Sequence, residues 1–186
     1  MSEIKKTVMC LPFIALAGCV HSGPPLGGSQ DVARGYAVLS DAASNGIGTA
    51  VLTQDATGSV RIRIQAHGLA AGVHGVHFHT IGMCDAPAFT SSGGHFNPGG
   101  THHGLANPAG PHAGDLPNMT VDASGNADYD VTTNRVSLTP GTNDLFGADG
   151  SALVVHAAPD DNMTDPAGNA GARIACGVVR SGAPPA

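Results

Sequence analysis

The chain alternates short apolar stretches with turn residues, and few windows repeat apolar residues at helical spacing. Gly and Pro interrupt most windows in which a helix could form, and both are unfavourable inside helices. Short stretches that are rich in β-branched and aromatic residues and bounded by turn residues are typical of β-strands. Eight stretches are predicted as strands: 34–40, 46–54, 59–68, 72–79, 119–123, 127–133, 151–157 and 172–180. Eight short strands without a helix predict an all-β fold, an antiparallel sandwich or barrel.

One segment, residues 80–118, breaks this rhythm because it is long, rich in Gly and Pro, and dense in histidine. A loop of this length in a compact domain is usually functional or disordered. Holding it in place requires a disulfide or a metal, and the sequence offers candidates for both.

The fourth predicted strand contains three histidines among apolar residues, in "GVHGVHFH". Side chains alternate faces along a strand, so His77 and His79 share one face, while Val76 and Phe78 share the core face. Two outward histidines two residues apart can reach one ion. His74 has the parity of Val76, and we expect it to make a structural hydrogen bond.

The long loop adds further donors at spacings of 8, 9 and 3 residues: His95, His103, His112 and Asp115. Three imidazoles and one carboxylate form a donor set suited to a closed tetrahedral zinc site. His156 lies on another predicted strand, with parity opposite to Val155. Each histidine alone is weak evidence, since a lone histidine is more often structural.

The N-terminus is predicted to be a targeting segment. Lys5 and Lys6 precede an apolar run, 8–17, that is too short to span a bilayer and is typical of a signal peptide, assigned to residues 1–18. The sequence "LAGC" resembles the bacterial lipobox, which implies cleavage before Cys19 and lipidation of that residue. The alternative is an ordinary signal peptide with an incidental Cys.

The remaining chain divides into a Gly/Pro tether at 19–32, a domain at 33–181 and a tail at 182–186. The expected location is the periplasm, with the protein lipid-anchored to the bacterial cell envelope. Contact with a membrane is then expected only through the lipid anchor.

The net charge and the histidine and cysteine content limit the functional classes to which the protein can belong. The formal net charge of −6, without a basic cluster, argues against nucleic acid as a partner. Ten histidines outnumber eight Lys and Arg together, so a metal protein is the first class to consider. Setting aside Cys10 and Cys19 leaves Cys84 and Cys176, which in an exported protein suggests one disulfide. Two free thiols are the alternative.

Taken together, the motifs resemble a known family. In chain order they are "HGVHFH", "GGHFNP", "HAGDLPN", "LVVHA…DD" and "GARIACGVV". They closely resemble the copper/zinc superoxide dismutases of the bacterial periplasmic kind, over about residues 34–180. The resemblance implies an eight-stranded antiparallel Greek-key barrel or sandwich with a long metal-binding loop. It also implies copper and zinc as cofactors and superoxide as substrate, and it allows a homodimer.

The resemblance assigns two ligand sets that share one residue. It implies copper ligands at His77, His79, His95 and His156. It implies zinc ligands at His95, His103, His112 and Asp115. His95 would then bridge the two metals as an imidazolate, because a divalent cation on its far nitrogen stabilises the anion.

Further roles follow from the same resemblance. Arg173 would lie beside the copper and attract superoxide, and His95 would act as a proton shuttle. Asp160 would orient His77 and His103, as carboxylates behind metal ligands do. Cys84 and Cys176 match the family's disulfide. Gly93 and Gly94 are expected to allow close backbone approach beside His95.

The sequence departs from the family pattern in two places, and two other classes of protein are alternatives to the enzyme. Thr80 follows His79 where many relatives carry an acid, and residues 157–172 lack Lys and Glu, so long-range steering is expected to differ from that of eukaryotic relatives. His67 and His102 have no assigned role. The rivals are a non-enzymatic envelope metal-binding protein with this fold and a zinc-only structural domain. The four copper-type histidines together with Arg173 favour the enzyme.

Overall fold

The computed structural model describes residues 31–185. Within that range it contains ten strands and one 3₁₀ turn, Thr90–Ser92. The strands are β1 (Asp31–Asp41), β2 (Gly46–Asp55), β3 (Val60–Ala66), β4 (Gly72–His74), β5 (Val76–His79), β6 (Met119–Val121), β7 (Ala127–Thr133), β8 (Ala152–His156), β9 (Arg173–Val178) and β10 (Arg180–Ser181). The predicted signal peptide, Cys19 and tether residues 19–30 lie outside the described residues.

Eight of these strands form one curled antiparallel sheet in the order β5-β8-β9-β1-β2-β3-β7, with β10 beside β1. β4 and β6 form a separate antiparallel pair. The predicted all-β antiparallel fold is therefore confirmed. Two of the predicted strands are divided in the structure, so their predicted extents were wrong. The stretch 172–180 is divided at Val179 into β9 and β10, and the stretch 72–79 is divided at Gly75. There the backbone hydrogen-bonds to Ala158 and His156 instead of continuing β4.

In β3, strict alternation of buried and exposed residues defines the face that packs into the core. In β3, Val60, Ile62 and Ile64 are fully buried, whereas Arg61 and Arg63 face solvent. Burying each such aliphatic side chain contributes about 1.5–3 kcal/mol, which makes this alternation the main determinant of which face of the sheet turns inward. No helix long and apolar enough to cross a membrane occurs among the described residues.

The long loop at residues 80–118 lies against β5. The amide of Phe78 donates to the carbonyl of Gly114, and the carbonyl of Phe78 accepts from the amide of Phe96, at 2.9 and 2.8 Å. The amide of Thr80 donates to the carbonyl of Gly94 at 2.9 Å. The loop therefore acts as a further partner for the outer edge of β5.

A disulfide fastens the same loop to the sheet. Cys84 and Cys176 are bonded, with their Cα atoms 5.7 Å apart, and they join the loop to β9. As a result the face of β5 that carries His77 and His79 is covered, and these residues are 0% and 1% exposed. The predicted face of the two histidines, opposite to Val76 and Phe78, is therefore the face that the loop covers.

Candidate metal centre

Two clusters of ligand-type atoms lie at the junction of β5, the long loop and the end of β8. Within each cluster the donor atoms all lie within 4.8 Å of one another. The first cluster contains His77, His79, His95 and His156. The second contains His95, His103, His112 and Asp115. The structure thus brings together both sets assigned from the sequence, with His95 common to the two.

Two buried nitrogens in the first cluster have no hydrogen-bond partner. They are Nδ1 of His77 and Nε2 of His95. The opposite nitrogen of each ring is occupied, by Asp160 for His77 and by Asp115 for His95, at 2.7 and 2.9 Å. Buried polar atoms are nearly always paired, so two unpartnered lone pairs in one cluster suit binding of an electron-pair acceptor. A metal ion fits this requirement.

The other two rings of the first cluster face each other. Nε2 of His79 and Nε2 of His156 are 3.4 Å apart. Their Nδ1 atoms donate to the carbonyls of Gly93 and Gly171 at 2.9 and 3.1 Å, which fixes the proton on Nδ1 and leaves Nε2 bare. Ligands about 2.0–2.1 Å from a metal in a tetrahedral array lie about 3.3–3.4 Å apart. The observed separation therefore suits a shared ion.

Burial keeps these rings neutral. It lowers the pKa of His77 to about 4, of His79 to about 2 and of His156 to about 3. Imidazole must be neutral to bind a metal through a ring nitrogen. Near neutral pH these three residues therefore present unprotonated donors without first releasing protons.

In the second cluster, one carboxylate organises three rings. Oδ1 of Asp115 lies 2.9, 3.1 and 3.4 Å from Nδ1 of His95, His103 and His112. Its Oδ2 accepts the backbone amides of Gly104 and His112. Burial alone would raise the pKa of Asp115, but the hydrogen bonds from His95 and the Gly104 amide outweigh it and hold the pKa at about 2.. An ionised carboxylate with three imidazoles is a donor set typical of zinc.

Asp160 links the two clusters from behind. Its Oδ2 accepts from Nε2 of His77 at 2.7 Å, and its Oδ1 accepts from Nε2 of His103 at 3.0 Å. Burial opposes ionisation, yet these hydrogen bonds hold the pKa of Asp160 below its usual range. Because both Nε2 atoms are engaged, both Nδ1 atoms point into their clusters.

Sequence reasoning missed the residue that holds Asp160 itself. The side chain of Asn118 accepts the Asp160 amide at 2.9 Å and donates to the Asp160 carbonyl at 2.8 Å. Asn118 belongs to the motif "HAGDLPN", but nothing in the sequence connects it to a residue 42 positions away. Its reciprocal hydrogen bonds fix the backbone that carries the bridging carboxylate.

Arg173, at the start of β9, borders a pocket next to the first cluster. The pocket has a volume of about 260 Å³, and its lining includes His79, His95 and His156. Nη1 of Arg173 donates to the carbonyl of Phe89 at 2.7 Å, and Nη2 donates to that of Gly93 at 2.6 Å. Among the described lining residues Arg173 is the only Lys or Arg, so it supplies the permanent positive charge of this pocket.

The remaining histidines lie outside both clusters. His74 is buried, with its ring nitrogens 2.7 and 2.9 Å from the carbonyls of His156 and Ala70, which is the structural role expected from its parity. His102 lies 2.5 Å from Asp165, and Asp165 also accepts the amide of the next residue, His103. His67 is exposed.

The two glycines expected to allow close approach differ. At Gly93, φ is 74°, and a Cβ there would lie 2.7 Å from Cγ2 of Thr80, so this position requires glycine. Gly94 has no atom within 4 Å of such a Cβ, so the expectation of a close approach there was wrong. Only the first glycine of the pair is constrained by contact.

The fold and the site together define a class of protein. It is an all-β metalloprotein in which two metal-binding clusters share one histidine. Comparison with known proteins gives the family: residues 47–179 match the model for copper/zinc superoxide dismutase (SODC). The chain belongs to the copper/zinc superoxide dismutase family.

Several bacterial proteins are similar to this chain. The chain is 47% identical over 154 residues to superoxide dismutase [Cu-Zn] 2 of Aquifex aeolicus, covering 82% of this chain and 89% of the relative. It is 44% identical over 134 residues to superoxide dismutase [Cu-Zn] of Caulobacter vibrioides, covering 70% and 77%. A SOD-like protein from Bacillus subtilis superposes with a TM-score of 0.74 at 37% identity, covering 77% and 96%.

Gly168 is packed against the carboxylate of Asp160, and a substitution at Gly168 tests whether the position of that carboxylate matters. Its φ is 62°, and a Cβ there would lie 2.5 Å from Cγ of Asp160 and 2.7 Å from Nε2 of His103. Gly171, in the same loop, has a similar φ of 79°, but a Cβ there would lie 3.8 Å from its nearest neighbours. The two glycines differ in contact and not in backbone conformation.

We predict that Gly168→Ala weakens zinc binding by about tenfold or more, because it displaces the carboxylate that orients His103. Gly171→Ala is the control, since both variants carry the cost of alanine in the left-handed region, about 1–2 kcal/mol. Chelator competition measures the zinc affinity of each variant. Urea unfolding of the metal-free proteins measures the loss of folding stability that both variants share. Equal zinc affinity in the two variants would contradict the assigned role of Asp160.

Proposed function

We propose that the protein dismutates superoxide, converting two superoxide anions and two protons into dioxygen and hydrogen peroxide. The observation that carries the proposal is the pair of clusters joined at His95, with orphaned nitrogens in the first cluster and Arg173 beside it. Relatives named superoxide dismutase at 44–50% identity support it. The proposed reaction uses these parts together, with the two clusters for the metals and Arg173 for the substrate anion.

The donor chemistry assigns the metals. The four imidazoles His77, His79, His95 and His156 would hold copper, since imidazole suits that ion. The mixed set with the carboxylate, formed by His95, His103, His112 and Asp115, would hold zinc. Bound copper supplies one-electron redox chemistry, and zinc supplies positive charge without changing its oxidation state.

His95 is the residue positioned to move a proton. Its Nδ1 is fixed in the second cluster, near Asp115, whereas its Nε2 belongs to the first cluster and borders the pocket. We assign Nε2 as the atom that accepts and releases a proton as peroxide forms. Since Nδ1 is held by the second cluster, the ring keeps its orientation while Nε2 changes partner.

Arg173 would bind the substrate anion. The chain carries a formal net charge of −6, which repels superoxide at long range. A single guanidinium at the pocket must therefore supply a local attractive field against the global one. No Lys or Glu occurs among the described residues, so the rim of this pocket has no long acidic or amino side chains that could add to or oppose it.

The first experiment measures superoxide removal by the soluble chain, residues 20–186, loaded with copper and zinc, beside a zinc-only sample. We expect rapid removal only in the sample that contains copper, because zinc has no accessible redox step. Metal content is verified in both samples before the assay. No activity with both metals in place would refute the proposal and favour a non-enzymatic metal-binding protein.

A substitution tests the anion-binding role. Arg173→Ala is expected to retain both metals, because Arg173 is not in either cluster, yet to lose about tenfold or more of the superoxide rate. Its rate should also depend less steeply on ionic strength. Arg180→Ala, an exposed arginine on β10, is the control and should keep most of the rate. Equal rates in the two variants would remove Arg173 from this role.

We also propose that the enzyme is exported, lipid-anchored at Cys19 and protective of the cell envelope, a proposal supported by the apolar run and the sequence "LAGC". Expressed in a bacterium, the full chain should partition into detergent, because acyl chains attach at Cys19. Cys19→Ser should lose this partition, and Cys10→Ser, inside the apolar run, should keep it. Retention by the Cys19→Ser variant would refute the anchor.

A further inference from the structure

Ser92 lies behind the pocket and is fully buried. It is the last residue of the 3₁₀ turn and directly precedes Gly93. Its Oγ is 3.1 Å from Nη1 of Arg173, 3.4 Å from Nδ1 of His79 and 2.8 Å from the carbonyl of Phe89. One hydroxyl therefore contacts the anion-binding arginine and a ligand of the first cluster at once.

The proton positions around Ser92 follow from its neighbours. A guanidinium nitrogen can only donate, and Nδ1 of His79 carries a proton because it donates to the Gly93 carbonyl. Both nitrogens therefore face the lone pairs of the serine oxygen. The single hydroxyl proton of Ser92 then goes to the carbonyl of Phe89. Ser92 acts as an acceptor toward the pocket and as a donor away from it.

This arrangement determines which N–H groups of Arg173 remain free. A guanidinium has five N–H donors. Three are directed at the loop, to the carbonyl of Phe89, to Oγ of Ser92 and to the carbonyl of Gly93. Two are left for an anion, and the three acceptors together fix the plane of the group. Without the hydroxyl, Nη1 keeps one acceptor, and two acceptors instead of three hold the plane of the group.

We infer that Ser92 is a positioning residue that fixes the guanidinium of Arg173 and thereby raises the affinity of the pocket for small monoanions. The inference rests on the proposed function for its substrate, superoxide, but it concerns anion binding and not electron transfer. Ser92 acts through Arg173, since it does not line the pocket itself.

The neighbouring serine provides a matched control. Ser91 lies in the same 3₁₀ turn, and its Oγ accepts the backbone amide of Asp85 at 2.9 Å. It has no hydrogen bond to Arg173 or His79. Ser91→Ala therefore removes a hydroxyl and a loop hydrogen bond from the same turn without touching the pocket.

The experiment titrates azide, a small monoanion, into the full chain loaded with copper(II) and zinc, and follows the copper absorption. Loss of one hydrogen bond to the guanidinium should raise the azide Kd about threefold to tenfold in Ser92→Ala. Ser91→Ala and Ser92→Thr, which keeps the hydroxyl, should stay within about twofold of the parent protein. Metal content and the unfolding midpoint are recorded for every variant.

A double-mutant cycle separates positioning from general damage to the loop. In an Arg173→Ala background, Ser92→Ala should change the azide Kd no further, because its effect passes through the guanidinium. An unchanged or lower azide Kd in the single variant, or an equal increase in both backgrounds, would overturn the inference. Azide binding needs no dismutation, so an inactive parent protein would refute the proposed function and leave this result intact.

Discussion

The whole site depends on holding the long loop against the outer edge of β5. Reciprocal backbone hydrogen bonds at Phe78 pair this edge with Gly114 and Phe96, and Thr80 adds a third contact at Gly94. The cost of ordering this many loop residues is large, since each fixed residue loses about 1–2 kcal/mol of backbone entropy. The disulfide to β9 reduces that cost by limiting the unfolded chain. Once the loop is fixed, the imidazoles of β5 and of the loop lie against each other, and the rings of His77 and His95 stack with their centroids 3.9 Å apart.

Burial then produces the electrostatic character of the site. It keeps the rings of His77, His79 and His156 neutral and leaves two nitrogens without partners, while hydrogen bonds keep Asp115 and Asp160 ionised. The structure thus places two buried carboxylates among imidazole donors, a balance that favours cations. Arg173 stands at the edge of this region with its charge directed toward the pocket. Cation sites inside and one guanidinium outside are a division of charge suited to a metal enzyme with an anionic substrate.

Much of the fold could be predicted from the sequence because alternation is a local property. The pattern of β3 identifies its core residues, and the parity of β5 places His77 and His79 on one face. The break at Gly75 could not be predicted, because it depends on hydrogen bonds to Ala158 and His156, more than 80 positions away. The burial of the two histidines depends in the same way on the path of a loop that has no periodicity.

The site shows the same limit in its supporting residues. The donors stand out in the sequence because histidines and motif spacing mark them. The residues that orient these donors do not stand out in the sequence. Asn118, Gly168 and Ser92 are ordinary loop residues, and each acts through a contact that forms only when the chain has folded. Glycine at 168 leaves room for the carboxylate of Asp160, and the side chain of Asn118 holds its backbone. The orientation of the metal-binding side chains therefore depends on small polar side chains and on a glycine. These residues fix the geometry of the site but do not themselves bind metal or substrate.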